Sequence, residues 1–195
     1  MMIVGLTGGI GSGKTTVAKM FQEFDIPVYI ADDEAKKLMV TSKFIKRKLI
    51  ALFGDKVYVQ GQLNKPLISH AIFNDKEKLK QMNAIVHPRV GQHFDRWVKK
   101  QNTPYVLKES AILFESGGAD QCDLIVTVTA PKEIRIERVL ERDDSSKEKV
   151  ESIMANQLGE KEKIAKSNFV IHNLNLEETQ KQVREIHLKI LQKVG

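Results

Sequence analysis

Cysteine occurs once in the 195 residues, at Cys122, which excludes a disulfide framework and any zinc site built from several cysteines. A reducing compartment is expected, with Cys122 as a small packing residue. Aromatic residues are also sparse, at 6%, leaving few platforms on which nucleobases could stack. The net charge of +6 would attract nucleic acid, but the aromatics follow core periodicity, so no nucleic-acid partner is expected. No apolar run approaches the roughly 18 residues a membrane span requires. The opening MMIVGL leads straight into a glycine-rich stretch, without the charged and apolar regions of a signal peptide. The expected location is therefore cytoplasmic, with no membrane partner. No histidine pair has the spacing of a metal site. The guanine-reading N-K-x-D and the metal-side D-x-x-G of switch GTPases are missing too. Residues 64–67, NKPL, begin like the first but place Leu67 where its acid belongs.

What is present suits one well-buried core with room for a small appended lobe: 42% hydrophobic and 29% charged residues, with only 12 glycines and 5 prolines. Residues 2–6, MIVGL, form a short apolar run bounded by glycine and read as a strand buried on both faces. Val17, Ala18, Met20, Phe21 and Phe24 then recur at helical spacing, and DIPVYI offers a second strand. Residues 32–101 carry almost no buried-strand signal and predict short lysine-rich helices, a hairpin or loop around Gly61, and a longer helix that should break or kink at Pro88. Strand signals resume at YVLKES (105–110), DLIVTVT (123–129) and FVIHN (169–173). Helices are expected on either side of RDDSSK, and a final amphipathic helix is expected with Asn175 as its N-cap. The fold class is α/β: a doubly wound, five-stranded, mostly parallel sheet whose ligand lies beyond the carboxyl ends of the strands.

Gly8-Gly9-Ile10-Gly11-Ser12-Gly13-Lys14-Thr15 fits G-x-x-x-x-G-K-[ST] between a strand and a helix. Glycines let backbone N–H groups turn inward on phosphate oxygens, and the helix N-terminus adds positive potential. Gly11, Ser12, Gly13, Lys14, Thr15 and Thr16 are the expected nucleotide-binding residues; Lys14 would reach the outer phosphates, and Thr15 would offer its hydroxyl to Mg²⁺ brought by ATP. A dinucleotide fold competes, since Asp32 follows the second strand where such folds carry a ribose-binding acid. The loop, however, lacks G-x-G-x-x-G.

The remaining question is whether the last phosphate is released, used for work or handed on. A small-molecule kinase needs an acid beside the acceptor hydroxyl, an acceptor-binding insertion and arginines over the moving phosphoryl group. Asp32 supplies the acid, its bland reading being a helix N-cap, and Asp33 reads as a first-turn helix charge. Arg135, Arg138 and Arg142 recur at i, i+3 and i+7 and share a helix face. Arg135 reads as part of a solvated surface laced with Glu137 and Glu141, and Arg142 as the functional member.

At this point the chain resembles the dephospho-CoA kinase family of P-loop kinases along nearly its whole length. LTGGIGSGKTT is very close to that family's phosphate loop; ADDEAKKL is similar to its acidic segment, MNAIVHPRV to its His-Pro-Arg segment, AILFESG to its Leu-Leu-Phe-Glu strand end, ERDDSSKEKVESIMANQ to its lid and FVIHN to its last strand. The resemblance implies a kinase that moves the γ-phosphoryl of ATP to the ribose 3′-hydroxyl of dephospho-CoA. It implies Lys14, Asp32 and Arg142 as catalytic residues, and Asp32, His87, Arg89 and Gln157 on the substrate side. Residues alone read His87 as packed, and KFIKRK as a solvated face or a diphosphate contact. The implied division is a core of residues 1–31, 102–132 and 166–195, a helical coenzyme-binding insertion over 32–101 and a helical lid over 133–165. A monomer or weak homo-oligomer is expected. Three departures from the family pattern stand out: Ile30 where an acid is usual, Ala111 in place of proline, and Ser167-Asn168 in place of Ala-Asp. Two alternatives remain, a kinase for another small acceptor such as a nucleoside monophosphate or shikimate, and a nucleotide-dependent nucleic-acid-binding module.

Overall fold

Alternating apolar strands and amphipathic helices build a parallel sheet wherever each strand can be covered on both faces. The structure, a computed structural model, describes residues 1–73 and 75–194 and forms two compact units, Met1–Ile30 with Gln101–Gly195, and Ala31–Lys100.

In the first unit β1 (Met2–Thr7) leads through the glycine loop to α1 (Lys14–Gln22) and then to β2 (Val28–Ile30). The five-stranded sheet of this unit is parallel, in the order β2-β5-β1-β6-β7; the strands numbered β3 and β4 form a separate hairpin in the second unit. Here β5 spans Tyr105–Glu109, β6 Leu124–Thr129 and β7 Phe169–His172. Because β1 is central, the loop that follows it emerges at the carboxyl edge where the strand order reverses, the usual ligand position in such sheets. Val4 and Leu6 of β1, Tyr105 and Leu107 of β5, and Val126 and Val128 of β6 face one side. There they pack with Val17 and Phe21 of α1 and with Val183, Ile186 and Ile190 of α9 (Leu176–Val194). Gly5 looks to the other side, where a Cβ would meet Leu113 at 2.5 Å and the Cys122 sulfur at 3.0 Å, so the segment after β5 lies directly on that face. Cys122 is a packing residue there, its thiol pushed up to about 11 by burial. Asn175 accepts from the Glu178 N–H and caps α9 as its sequence predicts.

The second unit begins where β2 ends. It contains α2 (Ala31–Thr41), α3 (Lys43–Phe53), the hairpin of β3 (Tyr58–Val59) with β4 (Gln62–Leu63), α4 (Lys65–Phe73) and α5 (Lys76–Val98). Ser42 caps α3 and Asp75 caps α5, while the Tyr58 hydroxyl donates to the Met39 carbonyl at 2.6 Å. The break expected at Pro88 does not occur, since α5 runs through it without interruption. Buried Val86 lies before the proline, and buried Val90 and Phe94 lie after it. Tertiary packing on both sides outweighs the one backbone hydrogen bond that proline cannot make.

The charged segment after β6 belongs to the first unit. It forms α6 (Lys132–Arg142), α7 (Lys147–Ala155) and α8 (Glu160–Ala165). Ser167 and Asn168, the third of the departures noted above, tie this segment to β6. The Ser167 hydroxyl lies 2.6 Å from Thr127 Oγ1, and Asn168 Oδ1 accepts from the Ile125 N–H at 2.8 Å.

Candidate active site

The loop of residues 8–13 turns tightly because Gly11 and Gly13 adopt φ values of 77° and 89°, left-handed conformations that favour glycine. Gly13 is the N-cap of α1, whose first turn contains no acidic residue to offset its positive end. Lys14 Nζ folds back toward the Gly9 carbonyl at 3.4 Å, and Thr15 and Thr16 are exposed on the first helical turn. Ser12 Oγ and Thr7 Oγ1 are buried without a protein partner. An orphaned buried hydroxyl costs about 1–3 kcal/mol, so the loop carries polar capacity that the protein itself does not satisfy.

The loop is braced from behind. Arg135 is buried, donates through Nε to the Ile10 carbonyl at 2.9 Å, and pairs through NH1 with Glu160 at 3.3 Å. The solvated surface expected for Arg135 is therefore incorrect: it lies with Ile136 and Val139 on the buried face of α6, and the nearby carboxylates Glu137 and Glu141 belong to the exposed side. Its i+4 spacing to Val139 was the available signal. Asn173, just after β7, donates from Nδ2 to the Ser12 carbonyl at 2.9 Å and receives the Thr179 hydroxyl at 3.1 Å. Arg138 NH2 donates to the Asn173 carbonyl at 3.0 Å, while Arg138 NH1 is buried without a partner. The three arginines of α6 thus diverge, for exposed Arg142 makes a bidentate pair with neighbouring Asp143.

Gln157 also reaches the loop, its Oε1 accepting from the Ile10 N–H at 3.0 Å. The next residue, Leu158, donates its N–H to Glu115 Oε1 at 2.7 Å. Lys163, 1% exposed, pairs with Glu115 at 2.9 Å and donates to the Ala111 carbonyl at 2.8 Å. A proline at position 111 would keep that carbonyl, so the alanine departure leaves the contact intact. Burial alone would raise the Glu115 carboxyl, but the Leu158 N–H and the Lys163 ammonium together hold it below the ordinary carboxylate range. Lys163 carried no recognisable signal, being one of several lysines in a charged stretch. A cavity of about 280 Å³ opens where β6 and β7 end, lined by Thr129, Ala130, Pro131, Glu160, His172 and Leu174.

Within the helical unit, Asp32 and Asp33 lie in the first turn of α2, and Asp33 pairs with Lys36 at 3.0 Å. Asp32 is exposed and is a first-turn residue rather than the cap. His87, on α5, is half-buried; burial lowers its pKa, and the Asp32 charge pulls it partly back. These two expected residues thus lie within electrostatic reach of one another. The Arg89 guanidinium stacks on the Phe44 ring at 3.8 Å and donates to Gln92 at 2.9 Å. In the basic stretch Lys43, Arg47 and Lys48 are exposed, and Lys46 lies over Tyr58. Among the described residues no group of three or more His, Cys, Asp or Glu side chains is arranged to hold a metal, and no helix is long and apolar enough to cross a membrane.

The family model described as dephospho-CoA kinase matches residues 2–178. A dephospho-CoA kinase of Bacteroides fragilis is 39% identical over 192 residues, covering 98% of this chain and 94% of that protein. A crystal structure from Thermus thermophilus superposes with a TM-score of 0.88 at 31% identity, over 96% of each chain. The dephospho-CoA kinase of Campylobacter jejuni shares the fold with a TM-score of 0.70 at 21% identity, over 98% of each chain. With a phosphate loop of the required form on the required sheet edge and likeness along almost its whole length, the chain belongs to the dephospho-CoA kinase family.

Proposed function

We propose that the chain transfers the γ-phosphoryl of ATP to the ribose 3′-hydroxyl of dephospho-CoA, giving CoA and ADP, with its phosphate loop as donor site and Asp32 as the acceptor base. The observation that carries this reading is the loop itself. Its glycines hold left-handed backbone, Arg135 and Asn173 fix it from behind, and an N-terminus free of acidic side chains follows it. Backbone amides of Gly11, Ser12, Gly13, Lys14, Thr15 and Thr16 cradle the phosphates. Lys14 neutralises charge on the moving group, and Arg142 exchanges its partner Asp143 for that charge when the lid closes. Residues 133–165 are the lid, residues 32–101 hold the acceptor, and residues 1–31, 102–132 and 166–195 form the nucleotide core. The cavity at the ends of β6 and β7 has the position and lining to take the nucleoside end of ATP.

Asp32 accepts the 3′-hydroxyl proton as the oxygen attacks phosphorus, and His87 and Arg89 orient the acceptor, whereas Gln157, expected on the substrate side, serves the donor loop through its contact with the Ile10 N–H. Phosphoryl transfer has a loose transition state, so aiming the two oxygens contributes more than the strength of the base. The exposed Thr15 hydroxyl on the first turn of α1 fits Mg²⁺ held jointly with the phosphates, a hard cation that prefers oxygen ligands. When bound, Mg²⁺ supplies charge neutralisation between the outer phosphates. The chain acts in the cytoplasm as a monomer or weak homo-oligomer, without nucleic-acid or membrane partners.

The test is ADP release from Mg·ATP with dephospho-CoA, a nucleoside monophosphate and shikimate as separate acceptors. Stimulation by dephospho-CoA alone is expected. Stimulation by another acceptor in its place overturns the reading.

A further inference from the structure

Ile10 is held at both ends of its residue: Gln157 Oε1 takes its N–H at 3.0 Å, and Arg135 Nε supplies a donor to its carbonyl at 2.9 Å. The first of these contacts depends on where residues 157 and 158 sit, and that is set elsewhere. The Leu158 N–H is fixed by Glu115 at 2.7 Å, and Glu115 is fixed by the buried ammonium of Lys163. Lys163 is in turn fixed to the Ala111 carbonyl. Four chain segments, around residues 10, 111–115, 135 and 157–163, are therefore joined by hydrogen bonds of 2.7–3.0 Å, most of them partly buried.

We infer that Glu115 is a positioning residue for the donor phosphate loop, acting through Leu158 and Gln157 on the Ile10 peptide without touching substrate. The inference rests on the kinase reading above. It follows from the direction of the bonds. A carboxylate acceptor between a buried ammonium and a backbone N–H has one favourable arrangement, because turning away would leave the buried Lys163 charge without its counter-ion and the Leu158 N–H without its acceptor. That fixes the Leu158 peptide and therefore the neighbouring Gln157 backbone, from which the side chain spans to Ile10. The Gln157 carboxamide in turn occupies the Ile10 N–H. The phosphate-facing amides are thereby restricted to those from Gly11 onward, and the loop tip keeps one orientation before nucleotide arrives. Preorganised donors need no rearrangement when the anion binds, and their loss appears as weaker donor binding.

The test is calorimetry of Mg·ADP binding, together with steady-state KM values for ATP and for dephospho-CoA. Gln157→Ala and Glu115→Ala should each weaken Mg·ADP binding and raise the KM for ATP by about tenfold, the upper end of what one net hydrogen bond contributes, with the KM for dephospho-CoA changed less than about twofold. Glu115→Gln, which keeps an oxygen for the Leu158 N–H, should recover part of the loss. Glu115→Ala removes the counter-ion of buried Lys163, so the double variant Glu115→Leu with Lys163→Met removes both charges at similar volume; it should keep the wild-type melting temperature while binding Mg·ADP as weakly as Gln157→Ala. The effects of Glu115 and Gln157 should be non-additive, since they act in series. Wild-type nucleotide affinity in the folded double variant, or additive effects in the cycle, would overturn the inference. Failure of the wild-type protein itself to bind Mg·ADP would instead overturn the kinase reading.

Discussion

Arg135 and Ile10, 125 residues apart in sequence, meet through a 2.9 Å hydrogen bond from the guanidinium Nε to the loop carbonyl. One buried cation thus joins α6 to the phosphate loop and also pairs with Glu160. A planar fork can satisfy both partners at once, whereas an ammonium is a point donor on a flexible stem. Arg135→Lys should therefore not rescue the contact. Hydrogen bonds to charged groups contribute about 1.5–3 kcal/mol, which for a chain of this length is roughly 4–10 °C in melting temperature. A melt of Arg135→Lys within a degree of wild type would show that the brace is dispensable.

The same arginine sets a contrast between two glycines. A Cβ on Gly9 would lie 2.0 Å from Arg135 NH2, the end of a side chain. A Cβ on Gly11 would lie 2.2 Å from the Arg135 backbone oxygen, and Gly11 also has φ of 77°. A side-chain tip can shift; a helix backbone and a left-handed φ cannot be relieved so easily. Gly11→Ala should abolish measurable Mg·ATP binding, and Gly9→Ala should weaken it by about tenfold through partial displacement of Arg135. Calorimetry on the two variants decides, and equal losses would contradict the assigned obstacles.

Much of this architecture was legible in the chain because strand burial and loop chemistry leave local marks. MIVGL and DLIVTVT are largely buried on both faces, FVIHN is a partly buried edge strand, and all three lie at or within two residues of the observed strands. The glycine loop announces itself, since left-handed φ and close approach allow few other residues. The braces were less visible. Arg135, Lys163 and Glu115 are ordinary charged residues whose burial depends on partners 25 to 125 residues away, and periodicity measures only what one element presents. Pro88 does not end its helix for a related reason: its local cost is real, but burial of Val86, Val90 and Phe94 overrides it.

Asp32 and His87 are coupled across α2 and α5, which allows the acid to be probed without turnover. Burial lowers the His87 pKa and the Asp32 charge opposes that shift. Asp32→Asn removes the opposing charge, so the His87 pKa should fall further below its usual value of 6.5. A titration of the His87 ring resonances in both proteins measures this, and an unchanged or higher value would place the two groups out of electrostatic reach. In parallel, Asp32→Asn should lower kcat and leave Mg·ATP binding intact, consistent with a base that acts on the acceptor. Full turnover in that variant would remove the base role.

His187 gives a stability effect separate from the site. Its Nδ1 lies 2.7 Å from the Tyr105 hydroxyl, and its ring stacks on Phe24 with centroids 4.5 Å apart. Burial raises the Tyr105 pKa well above the ordinary tyrosine range, so the hydroxyl stays protonated and can donate to a neutral imidazole. Burial also lowers the His187 pKa below 6.5. As pH falls, the unfolded chain therefore binds this proton first, and protonated His187 would require the tyrosine to reverse its role. The stability associated with neutral His187 is present above about pH 6.5 and is lost as pH falls from there through the lower folded value. His187→Phe should lower the urea midpoint at all pH values, because Tyr105 loses its partner, yet the decline between about pH 7.5 and 5.5 should be shallower than in wild type. The half-buried His87 persists in both proteins and contributes equally to each decline, so the difference between the two slopes isolates His187. Parallel slopes would mean that the imidazole in the core titrates as it does in the unfolded chain.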